Sequence, residues 1–156
     1  QDALWRALIK GQIDTVVSDH ACCMEENKKG DTWSALPGFG GTSLLYPVLL
    51  SEGVHKRGLP LERVVDLIST TPARRFGLYP KKGAIAVGSD ADFALIDVNK
   101  EQVVTVENSH SAQDHSPFAG KSLKGWPVAT ILRGRLAFKD GAPVGERRGA
   151  FVARPV

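Results

Sequence analysis

Asp19 and His20 stand side by side in the run I-D-T-V-V-S-D-H-A-C-C, residues 13 to 23. A carboxylate beside an imidazole is equipped for proton transfer, and the end of a buried strand is where such groups collect. The same pair also occurs as a cap or in a solvated turn, so by itself it selects no reaction. A second stretch with chemical potential follows at Leu36-Pro37-Gly38-Phe39-Gly40-Gly41. Closely spaced glycines let the backbone approach a ligand, and free N–H groups just ahead of a helix can bind a carbonyl or an anion. A plain glycine turn into the next helix fits the same letters. Neither GxGxxG nor GxxxxGK[ST] is present, so nucleotide phosphate binding is not expected. Cys22 and Cys23 are adjacent, a spacing that meets disulfide geometry poorly, and they lack a CxxC partner. Reduced thiols of a cytoplasmic protein are expected, not a structural zinc site.

The elements that must position these groups can be read from periodicity. Leu4, Ala7 and Leu8 have helical spacing in Asp2 to Ile9, with Asp2 available as a cap and Gly11 beyond the end. The apolar run Ile13 to Val17 then predicts a buried strand with Asp19 at its carboxyl end. Helix, buried strand and polar loop is the rhythm of α/β architecture. From Met24 to Gly41 the periodicity disappears, and a connection this long is usually functional or mobile.

Thr42 or Ser43 is expected to cap the next helix, with Leu45 and Leu49 inside, Pro47 near the first turn and Gly58 as the stop. Leu61 to Ser69 predicts another helix with Val64, Val65, Leu67 and Ile68 inside. Thr71 reads as the N-cap of a short helix with Pro72 at its first position and Gly77 at its end. After Pro80 the pattern turns to β: strands are expected at Gly83 to Val87, Phe93 to Ile96, Gln102 to Val106, Val128 to Leu132 and Leu136 to Phe138. Turns fall at Arg133-Gly134 and Asp140-Gly141, and a long polar loop spans Asn108 to Gly125. From Ala142 onward a loosely attached tail is expected.

The chain has 156 residues, 42% hydrophobic, enough for a core. No apolar stretch approaches the ~20 residues of a membrane helix. The net charge of +3 is spread over scattered basic pairs, so neither a nucleic-acid nor a membrane partner is expected. The chain begins with Gln1, its single methionine is Met24, and no signal-peptide pattern is present, which reads as a piece of a longer cytoplasmic protein. The expected division is 1–80, 81–145 and a tail at 146–156. Neither main region is self-sufficient, because the first offers a strand with nothing to pair it.

Four segments carry a family resemblance: Thr71-Pro-Ala-Arg-Arg-Phe-Gly77, Lys82-Gly-Ala-Ile-Ala-Val-Gly-Ser-Asp-Ala-Asp-Phe-Ala-Leu-Ile-Asp97, His115-Ser-Pro-Phe-Ala-Gly120 and Gly125-Trp-Pro-Val-Ala-Thr-Ile-Leu-Arg-Gly134. Together they resemble the C-terminal part of the amidohydrolase superfamily, nearest to its cyclic amidohydrolase branch of dihydroorotase, allantoinase and hydantoinase or dihydropyrimidinase. The resemblance covers roughly Ile13 to Gly141. It implies a (β/α)8 barrel with a binuclear metal centre and a small β-sandwich. A whole barrel takes ~250 residues. The implied fold here is therefore incomplete: the last barrel strand and its helices, then part of the sandwich.

By the same resemblance Asp19 is a metal ligand and the proton shuttle, and His20 either backs that ligand or faces the substrate; Cys23 and, from the glycine run, Pro37, Gly38 and Gly40 are the residues expected beside the substrate. Two Zn2+ ions are implied for the intact parent, a homo-oligomer, and are not expected to be retained by this chain alone. Dihydroorotases run Asp-His-Ala-Pro-His where this chain has Cys22 and Cys23, which weakens that assignment. Allantoinases are similar in having cysteine at the last place, so Cys23 is either a pocket residue or a small residue packed under the loop. The family's HxH pair, its carboxylated lysine and two later histidines have no counterpart here, and His110 and His115 match none of them. The implied activity is hydrolytic opening of a cyclic amide by a longer protein, this chain alone being inactive. The alternative is a non-catalytic, dihydropyrimidinase-like assembly scaffold.

Overall fold

The computed structural model describes residues 1–154, so the last two residues of the expected tail at 146–156 lie outside the described residues. Helix α1 (Asp2–Ile9) forms where periodicity places it, and Gly11 leaves it at φ +73. Asp2 does not cap it. The N-cap is Gln1, and Asp2 sits in the first turn, where its charge meets the positive end of the helix dipole.

The expected strand at Ile13 to Val17 does not form: no regular element lies between Gln12 and Met24. A strand needs a neighbouring ladder, and the one sheet among the described residues is antiparallel and lies elsewhere. Helical residues hold the segment instead. The Val16 N–H donates to the Leu67 carbonyl at 3.1 Å, and the Arg63 guanidinium donates to the Ile13 carbonyl at 2.6 Å. Ile13 and Val16 pack on the first core cluster, built from Leu8, Leu49, Leu50, Leu59, Val64 and Leu67.

Thr42–Leu44 forms a tight 3-10 turn, followed by α2 (Leu45–Val48) and a wide π-type stretch, Leu49–His55. Neither Thr42 nor Ser43 supplies the cap; Gly41 precedes the turn and no side chain makes the cap bond. Gly58, at φ +67, ends the run. Next come α3 (Leu61–Val65), a wide stretch Asp66–Thr70 and α4 (Thr71–Arg75), continuous because Thr70 keeps helical angles of φ −65 and ψ −48. Thr71 is thus inside a helix and caps nothing. Pro72 cannot donate to the preceding turn, and the widened turns ahead of it take up that gap. Val64 and Leu67 are buried, whereas Val65 falls off their stripe and is half exposed.

The β region is a single antiparallel meander in the order β1 (Phe93–Val103), β2 (Ser122–Leu132), β3 (Arg135–Lys139) and β4 (Ala142–Pro143). The two strands expected within 93–106 merge into β1, whose pairing resumes past an irregularity between Asp97 and Glu101. β2 starts at Ser122, well before Val128, and Ala142–Pro143 is paired to β3 where the tail was expected to begin. Gly83 to Val87 forms no strand; Ile85 and Val87 are 87% and 108% exposed, alternating in sequence with no partner beside them. Both predicted turns are present: Arg133 and Gly134 at φ +46 and +74, Asp140 and Gly141 at φ +50 and +86. Positive φ at both central residues matches the right-handed twist of the strands.

A second core cluster of Leu44, Val104, Leu123 and Trp126 joins the start of the 42–55 helical run to the sheet. Gly125, at φ +101, lies against Leu50, linking the sheet to the first cluster as well. No helix among the described residues is long and apolar enough to cross a membrane.

Candidate active site

Asp19 is exposed and takes φ +45, a left-handed conformation that L-residues with side chains seldom adopt. Such backbone strain persists where the surroundings over-determine it, commonly at functional sites. The surroundings here are a set of cross-links between residues 18–23 and the loop 36–42. His20 Nδ1 accepts the N–H groups of Gly41 at 3.1 Å and Thr42 at 3.3 Å. Its neutral ring therefore carries hydrogen on Nε2, which leaves that nitrogen as a donor. The Ala21 N–H donates to the Phe39 carbonyl at 3.1 Å, and the Cys23 thiol points at the Gly38 carbonyl at 3.4 Å. Ser18 and Thr42 hydroxyls meet at 3.3 Å. Lys28 Nζ donates to the Leu36 carbonyl at 2.9 Å and also to that of Gly38.

Every residue singled out by sequence lies in or on this cross-linked pair of segments. Cys23 is buried beneath the loop, a free thiol, while Cys22 is free and exposed. Gly38 is required by its conformation, φ +88, and by space: a Cβ there would stand 2.5 Å from that of Ala21. Pro37 is exposed at the loop crest. Two N–H groups of the glycine run, expected to be free for a ligand, are engaged: Gly40 donates to Gln113 Oε1 at 2.5 Å, and Gly41 to His20. Apolar side chains beside the loop, including Val17, Phe39, Leu44 and Phe118, line a cleft of about 410 Å³ that Ser18 and Gly41 border.

Sequence reading missed Gln113, Lys28 and Asp114. Asp114 accepts the Glu25 N–H at 2.7 Å, and that bond, with a further one from His115, holds its carboxyl below the usual carboxylate range. All three are polar residues in polar loops, and nothing in a single sequence separates them from solvated surface. His110 is exposed and stacks edge-on against Phe138.

Among the described residues no three His, Cys, Asp or Glu side chains gather as a metal site.

Residues 1–137 match the amidohydrolase family, and the chain belongs to it. It is 43% identical over 152 residues to an allantoinase of Rubrobacter xylanophilus, covering 97% of this chain and 33% of that protein. To a D-hydantoinase of Geobacillus stearothermophilus it is 40% identical over 161 residues, 99% of this chain and 34% of the relative. It superposes on the D-hydantoinase (dihydropyrimidinase) from Thermus sp. with a TM-score of 0.87 and 37% identity, over 94% of this chain and 32% of that one. The chain thus spans about a third of the length of the relatives it matches. Its fold is the α/β one that the resemblance implied, the closing part of a (β/α)8 barrel followed by part of a small β-sandwich.

Proposed function

We propose that this chain is the part of a longer metal-dependent hydrolase that carries one ligand and the proton shuttle for opening a cyclic amide, a ring of the hydantoin, dihydropyrimidine or allantoin type. The observation that carries this reading is Asp19, exposed, left-handed and set at the head of a loop that eight cross-links hold against the rest of the chain. The relatives named allantoinase and D-hydantoinase support the substrate class.

Amide hydrolysis at neutral pH needs an activated hydroxide, an electrophile for the carbonyl and a proton for the leaving nitrogen. Divalent metal, proposed to be two zinc ions held mainly by residues elsewhere in the longer protein, supplies the first two. Asp19 supplies the third: its carboxylate takes the proton that the nucleophile loses on attack and returns it to the ring nitrogen as the C–N bond breaks. His20, with Nδ1 tied to the backbone, has Nε2–H available as a fixed donor on the substrate side. Pro37, Gly38 and Gly40 form the wall against which the ring rests, and Cys23 supports that wall from below.

The test is Asp19→Asn in the full-length protein. Asparagine tolerates the left-handed backbone that alanine would strain, so the fold is kept. Ring opening should fall by about 10²–10⁴-fold in kcat, the usual worth of a positioned acid–base group, with an unchanged thermal melt. Activity within about tenfold of the parent would sink the assignment.

A further inference from the structure

The Asp19 segment and the glycine loop are gripped from the β region by a short stretch, Ser111 to Phe118. Ser111 Oγ donates to Cys22 Sγ at 3.4 Å, and Asp114 Oδ1 accepts the Glu25 N–H at 2.7 Å. The Phe118 ring meets Phe39 edge-on, centroids 6.0 Å apart. Between these contacts lies Gln113, 3% exposed, whose Oε1 accepts the Gly40 N–H at 2.5 Å. A buried amide oxygen costs desolvation free energy unless it is paired, so the bond gives this side chain one favourable place. The fit is also steric: a Cβ on Gly40 would stand 2.3 Å from that oxygen. The next two N–H groups along the loop, of Gly41 and Thr42, are the ones that hold His20 Nδ1. The N–H that a side chain of the β region holds is therefore one and two peptide units from the N–H groups that orient the imidazole.

We propose that Gln113 is a positioning residue for this site: through the Gly40 N–H it sets the glycine loop, and with it the orientation of His20 and of the wall facing the substrate. The proposal rests on the site reading above. The β region then has a part in binding the ring, although it brings no reacting group.

The test uses the full-length protein with Gln113→Met, similar in length but lacking the acceptor, and Gln113→Glu, which keeps an oxygen there. Gln113→Met should raise KM for hydantoin or allantoin about tenfold or more with kcat within about threefold, and speed amide exchange at Gly40 and Gly41 about tenfold. Gln113→Glu should bring both within about threefold of the parent. Unchanged KM and Gly40 exchange in Gln113→Met overturns the proposal, as does an equal loss in both variants that tracks the melting temperature. If the parent opens no ring, the site reading fails on its own, and amide exchange alone decides: faster exchange upholds the grip on the loop, unchanged exchange overturns it. Should Gln113→Met not fold, Gly40→Ala, whose Cβ would stand against the Gln113 oxygen, should raise KM about tenfold with kcat within about threefold and speed amide exchange at Gly41; unchanged KM and exchange overturns the proposal.

Discussion

At Gly125 a hydrogen stands where a methyl group would collide with the core. The residue has φ +101, and an added Cβ would lie 2.6 Å from the Leu50 Cβ. Gly134, at φ +74, has open space around the same position. Alanine at 134 meets only backbone strain, about 1 kcal/mol, whereas alanine at 125 adds overpacking of about 1–3 kcal/mol. Chemical denaturation of the two full-length variants should show Gly125→Ala losing at least twice what Gly134→Ala loses; equal losses would mean the sheet and the helical run are not packed as described. The glycines of the site loop answer to the same logic with a different result. Gly38 and Gly40 are forced by Ala21 and Gln113, neighbours in the proposed site, so under that proposal substitution there should act on function as well as stability.

Lys82 and the Asp90-Ala91-Asp92 turn form an element whose charges set a pH range. Lys82 Nζ meets Asp90 at 2.9 Å and also Asp92, and the Asp92 carboxylate accepts the Arg133 N–H at 2.7 Å, tying the turn to the β2–β3 hairpin. Bonds to Asp92 and then Asp90 raise the Lys82 ammonium above its ordinary value. For Asp92, burial is the largest single influence and works upward, but Lys82 and the Arg133 N–H together outweigh it and hold the carboxyl low. A depressed carboxylate contributes stability above its unfolded pKa of about 4 that is lost as pH falls through the folded value. A raised ammonium contributes stability below about 10.4 that is lost as pH rises through its folded value. Asp92→Asn resembles the protonated acid, so its deficit in melting temperature should be largest near neutral pH and shrink below about pH 4. A deficit equal at both ends of a pH series of thermal melts would show the pair has no such role. This turn carries part of the family resemblance, and its partner Arg133 sits in another quoted segment, so the resemblance picked out two halves of one contact.

For the molecule as a whole, surface area is the telling quantity. A compact monomer of 16.8 kDa exposes about 7,600 Å² by size scaling. This chain exposes 10360 Å², about a third more. Exposed apolar side chains include Leu4 and Val17, which line the cleft by the site loop, Ile85 and Val87, and also Trp33 and Phe151. Patches of this kind associate unless covered. The isolated 156-residue chain should therefore self-associate and lack a cooperative melt, whereas the full-length protein should melt cooperatively. Sedimentation velocity with a thermal scan decides it: a cooperative, monomeric transition of the isolated chain would contradict the expectation.

What the amino-acid sequence determined by itself was local. The bounds of α1, the glycine stops at 11 and 58, and both hairpin turns were legible because each depends on a few neighbouring residues and their allowed φ. The four quoted segments were legible as family. What only the tertiary structure decided was the fate of groups whose partners are distant. Ile13 to Val17 and Gly83 to Val87 read as strands, yet a strand exists only where another chain segment completes its hydrogen bonds, and none does so here. The glycine-loop N–H groups read as free until Gln113, 73 residues from Gly40, arrived to take one of them. Turns and helices satisfy their backbone from within, while strands and binding loops depend on what the fold brings to them.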